Sequence, residues 1–117
     1  MDFLQNEREI RALTRKIDRD GYNWGVSGSI GEFTVELITS DEVHFNWRTA
    51  IDLDGEKIPT IIIKNTNNPN YPVEAWCADK DSIGTVNGYL LLTEPTIIHP
   101  CKTLKEVLFG VRDWIFQ

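Results

Sequence analysis

The chain has 117 residues, 41% of them apolar and 26% charged, values that exclude intrinsic disorder and suit one domain spanning 1–117. Eighteen acidic against twelve basic residues leave a net charge of −6, and no Lys/Arg cluster exceeds a pair, which argues against a nucleic-acid binder. Apolar runs such as 61–63 and 89–92 fall far short of the roughly 20 residues that a membrane helix needs, and the N-terminus lacks the basic-then-apolar pattern of a signal peptide. Two cysteines, Cys77 and Cys101, make no disulfide framework, so the expected setting is the reducing cytoplasm, away from membranes.

The first element reads as a helix over about 5–20. Ile10, Leu13 and Ile17 recur at helical spacing, arginines and Lys16 supply a charged opposite face, and Asp20-Gly21 is the expected stop. From there the periodicity turns strand-like, with strands expected near 30–38, 43–53 and 57–64. In the second, Val43, Phe45, Trp47, Ile51 and Leu53 alternate with polar residues, so one face is buried and the other wet. Asp54-Gly55 is a hairpin signal between the second and third strands. Residues 65–72, Asn-Thr-Asn-Asn-Pro-Asn-Tyr-Pro, form a loop by composition. A short extended piece at 73–78, a polar loop at 79–88 and a short strand at 89–93 follow. An extended segment then leads from Glu94-Pro95 to His99-Pro100-Cys101.

The last element is a helix at about 104–115, with Leu104, Val107, Leu108, Val111 and Ile115 on one face. Thr103 and Glu106 have the spacing of a capping box, in which each satisfies the other's backbone donor. The order predicts an α+β fold, with three or four antiparallel strands in a meander and helices packed on one side.

Cys101 is the leading candidate for chemistry. It lies two residues before the helix cap, where the helix dipole and Lys102 are expected to favour the nucleophilic thiolate. A buried structural thiol is the competing reading, and it is the preferred one for Cys77 beside Trp76. His99, two residues before Cys101, is expected on the same side of an extended chain, as a proton shuttle or a turn filler. His44 reads as a solvated residue on the polar face of its strand. The cysteine and histidine spacings fit no metal site. Gly25, Gly28 and Gly31 precede no strand-to-helix step, so no phosphate loop and no cofactor are expected.

The layout of helix, meander, Tyr71-Pro72 loop, irregular active-site stretch and closing helix resembles the ubiquitin-conjugating (E2) fold. The chain departs from ordinary members: their His-Pro-Asn tripeptide is absent, and Tyr89-Leu90-Leu91 follows Asn87-Gly88 where a cysteine would stand. His99-Pro100-Cys101-Lys102-Thr103 instead resembles the His-Pro-Cys signature of the autophagy E2-like enzymes. The chain is also similar to the short, E2-only bacterial proteins of anti-phage operons called CD-NTase-associated protein 2. The resemblance is tight over 99–103 and loose over about 5–117.

The resemblance implies a thioester on Cys101 with the C-terminal glycine of a partner protein, a cGAS-like nucleotidyltransferase in such operons. It leaves activation to a separate enzyme and carries His99 over as a motif residue. With no His-Pro-Asn asparagine, Asn87, Thr103 and the backbone amides of 102–104 are the candidates for oxyanion support. Two other classes compete: a non-catalytic module of the same fold, such as an immunity or inhibitor protein, and a cysteine hydrolase using His44 as base.

Overall fold

The computed structural model describes residues 1–23, 33–47, 59–78 and 96–116. A 3₁₀ turn, Leu4–Asn6, leads into helix α1, Glu7–Asn23. The Asp2 carboxylate starts the turn by accepting from the Leu4 amide at 3.0 Å, and Glu7 and Glu9 place negative charge at the positive end of the α1 dipole. The helix runs two residues past Gly21, the expected stop. A glycine near a helix end costs only about 1 kcal/mol in propensity, too little to break a turn by itself.

Five strands follow: β1 Thr34–Ile38, β2 Glu42–Asn46, β3 Ile61–Asn65, β4 Val73–Cys77 and β5 Thr96–Cys101. They pair antiparallel in chain order, β1-β2-β3-β4-β5. Helix α2, Leu104–Phe116, closes the described chain. The expected α+β order of helix, antiparallel meander and helix is present. The Asp54-Gly55 turn, the outer half of the 43–53 strand, Asn87 and the 89–93 strand lie outside the described residues. The extended segment expected to end at His99-Pro100-Cys101 is a strand of the sheet, paired with β4.

Alternation decides which side chains meet the helices. Val43 and Phe45 on β2, Ile61 and Ile63 on β3, and Val73, Ala75 and Cys77 on β4 are fully buried and join Ile10, Ile17, Val107, Leu108 and Val111 in one core. Trp47 packs edge-on against Trp114 at 5.2 Å between ring centroids, tying the end of β2 to α2. Helix α1 packs on β1 and on α2, and α2 packs on β4 and β5.

The two strands at the ends of this order depart from alternation in the same way. Val35 and Leu37 of β1 oppose the adjacent residues Phe45 and His44, so β1 carries a bulge. Cys101 and Ile98 of β5 oppose Val73 and Ala75, so one extra residue is accommodated within 98–101. Pro100 has no amide to give the ladder, which suits it to such a bulge. As a result Val35 with Ile38, and Ile98 with Cys101, pack on the core although each pair is three residues apart.

Candidate functional site

Cys101 is the last residue of β5, held opposite Val73, and α2 starts three residues later. The intervening turn is fixed by a cap. The Glu106 amide donates to Thr103 Oγ1 at 3.1 Å, and the Lys102 amide donates to Glu106 Oε2 at 3.2 Å. The expected capping box is therefore present, with its glutamate reaching one residue beyond the threonine, to Lys102. Thr103 is a helix cap first, and the Lys102 amide already has an acceptor.

The 65–72 loop is braced against itself. Thr66 Oγ1 donates to the Tyr71 carbonyl at 2.6 Å, the Thr66 amide to the Pro72 carbonyl at 2.9 Å, and the Asn70 amide to Asn68 Oδ1 at 2.9 Å. This presents the Tyr71 ring to solvent, with the Lys102 ammonium 5.8 Å from its centroid. The Tyr-Pro loop and the Cys101 segment, thirty residues apart in sequence, thus form one surface.

The electrostatics at Cys101 reverse the expectation from sequence. Burial against the core pushes its thiol above the ordinary value, and the Glu106 carboxylate pushes it in the same direction. The helix start attracts an anion, but here it has recruited its own: the capping carboxylate stands where the thiolate charge was expected. The positive charge of Lys102 lies over Tyr71.

His99 is a residue of β5 within the bulged segment, and its side chain lies outside the described residues. Cys77 is fully buried, as expected. His44 lies on the outer face of its strand, as expected, partly exposed and in contact with Glu42 Oε2 at 3.3 Å. It pairs with Ile62 on the face away from the core, three strands from β5, or roughly 14 Å at 4.8 Å per strand. That removes His44 as the base of a Cys101 hydrolase. Among the described residues no three His, Cys, Asp or Glu side chains gather as a metal site.

Two features escaped the sequence reading. One is the charge of Glu106, visible only as a cap. The other is the stripe Arg11, Thr14, Arg15 and Asp18, which reads as a solvated helix face but lines a cleft. No family model, curated protein or solved structure matches this chain.

Proposed function

We propose that this protein is an E2-like cysteine transferase that carries a partner's C-terminal glycine as a thioester on Cys101. The observation that carries the reading is the convergence of the His99-Pro100-Cys101 strand end, the capped start of α2 and the Tyr71-Pro72 loop on one surface. In the loading step the Cys101 sulfur attacks the glycine carbonyl of an activated thioester. The new C–S bond forms as the donor thiol leaves with the proton given up by Cys101. In the second step an amine attacks, the C–N bond forms, and Cys101 departs and regains a proton. The amides of Thr103 and Leu104 are the candidate oxyanion donors, with Asn87 as the side-chain alternative.

A raised thiol value keeps Cys101 protonated until the loading step takes its proton, and it makes Cys101 the poorer leaving group of the second step. The resemblance to the anti-phage proteins points to a cytoplasmic setting, with a cGAS-like nucleotidyltransferase as the partner and a separate activating enzyme. The test is intact-mass spectrometry after incubation with both. The wild type and Cys77→Ala gain a hydroxylamine-sensitive adduct, Cys101→Ser a more stable one, and Cys101→Ala none. An adduct on Cys101→Ala overturns the reading.

The burial of Cys101 against the core favours a second reading, a non-catalytic module of the same fold. It predicts that Cys101→Ala leaves partner binding and biological activity intact.

A further inference from the structure

The sequence holds no basic run longer than a pair, yet helix geometry assembles a basic face. Arg8, Arg11, Arg15 and Arg19 recur at spacings of three and four, so they stand in one line along the outer side of α1, with Lys16 beside it. Residues 8–19 thus hold five of the chain's twelve basic residues, over about 17 Å of helix at 1.5 Å per residue. Leu4, in the preceding 3₁₀ turn, is 51% exposed at the head of the line.

Helix α2 extends this face. Its half-buried Phe109 ring gathers cations from both helices: Arg112 at 4.5 Å from the centroid, Lys16 at 5.3 Å and Lys105 at 5.6 Å. The nearby carboxylates are engaged or marginal. Glu7 holds Arg11 at 3.0 Å, and Asp113 holds Arg112 at 3.2 Å. Glu106 caps α2, Asp18 accepts from the Phe33 amide, and Glu9 stands in the first turn of α1. Arg8, Arg15, Lys16, Arg19 and Lys105 are exposed and make no ion pair among the described residues.

We propose that this face rests on an anionic lipid bilayer, its cations among the headgroups and Leu4 at their apolar boundary. Ile10 and Ile17, on the opposite side of α1, belong to the core, so the helix keeps its place in the fold and the contact is peripheral. No helix among the described residues is long and apolar enough to cross a membrane. Two observations favour a bilayer over other polyanions. The exposed leucine gains from an apolar boundary, which neither nucleic acid nor an acidic peptide offers. A bilayer is also a plane that meets one face only, whereas a chain polyanion that wraps the protein meets its net charge of −6. Glu42 and Glu74, on the sheet face away from the helices, stand at least a helix diameter behind, about 10 Å, beyond the Debye length of about 8 Å at physiological salt. The inference is independent of thioester chemistry on Cys101.

The full chain is sedimented with vesicles of phosphatidylcholine alone and of phosphatidylcholine with about 30% phosphatidylglycerol. It binds the anionic vesicles and not the neutral ones, and raising NaCl from about 0.1 to about 0.5 M releases it. Arg15→Gln weakens partitioning about fivefold, and Arg15→Gln with Arg19→Gln about twenty-five-fold, as expected for one and two surface cations. Lys64→Gln removes the same charge from the sheet face away from the helices and leaves partitioning unchanged. Leu4→Gln weakens binding at every salt concentration without altering the salt dependence. Leu4, Arg15 and Arg19 are exposed, so their replacement keeps the fold. Failure to bind anionic vesicles at about 0.1 M salt overturns the proposal, as do equal losses in Arg15→Gln and Lys64→Gln. Tighter binding to duplex DNA or to poly-L-glutamate than to the anionic vesicles gives the face to another polyanion and overturns it too.

Discussion

The Glu106 carboxylate that accepts the Lys102 amide is also the negative charge that opposes ionisation of Cys101. One side chain both starts the helix and governs the neighbouring thiol. Its replacement therefore separates two effects that a mutation at Cys101 confounds.

The pH dependence of Cys101 alkylation follows. Its folded-state value is raised, so the thiolate is scarce at neutral pH and the rate climbs only as pH passes above the ordinary thiol range. Glu106→Gln moves the midpoint down and speeds alkylation near pH 7.5 by about two- to fivefold. Iodoacetamide rates followed by peptide mass spectrometry measure this, and a midpoint below that of a free thiol contradicts it. Cys77, fully buried, stays slower than Cys101 throughout.

Asp18 sets a second pH dependence. Because its folded-state value is raised, folding favours the protonated form. That stability is complete in acid, below the unfolded-state value, and is lost as pH rises through the folded one. Asp18→Asn is accordingly more stable than the wild type at pH 7, and the advantage vanishes near pH 3. Urea unfolding at the two pH values decides it, and a gain that grows in acid has the wrong sign.

Thr60 extends the β2–β3 pairing with its side chain. Fully buried, its hydroxyl accepts from the Trp47 amide at 2.8 Å and donates to the Trp47 carbonyl at 3.1 Å. Thr60→Val keeps the shape and removes both bonds, at a cost of about 2 kcal/mol in the same unfolding assay. A loss under about 0.5 kcal/mol shows that the bonds are dispensable.

Gly110 faces Ile98, where an added Cβ would lie 2.7 Å from Ile98 Cγ2. In an open helix Gly→Ala stabilises by about 1 kcal/mol. Here the stiff, β-branched isoleucine blocks the methyl, so Gly110→Ala destabilises, by about 1–3 kcal/mol. In a double-mutant cycle Ile98→Ala removes most of that penalty; additive losses exclude the contact as its cause.

The helices and the buried β2 and β3 positions were legible because hydrophobic period is a local property: Ile10, Ile17, Val43 and Phe45 announce their faces. The Thr103 cap was legible for the same reason. The bulges in β1 and β5 were not, since a bulge is a relation between two strands and neither strand alone encodes it. The Cys101 environment escaped on similar grounds. Lys102 adjoins Cys101 in sequence while Glu106 lies five residues on, and only the turn geometry decides which charge the sulfur meets.

The β4–β5 register also has a redox consequence. Cys101 lies opposite Val73 at one end of β4, and Cys77 closes the other, which puts the two backbones roughly 14 Å apart at 3.4 Å per residue. A disulfide needs Cα atoms within about 7 Å, so β4 is a spacer that forbids an internal crosslink. A disulfide among the folded protein's own cysteines can therefore form only between molecules, with the half-exposed Cys101 as the bridging sulfur. A dimer band on a non-reducing gel then measures how openly that sulfur is displayed.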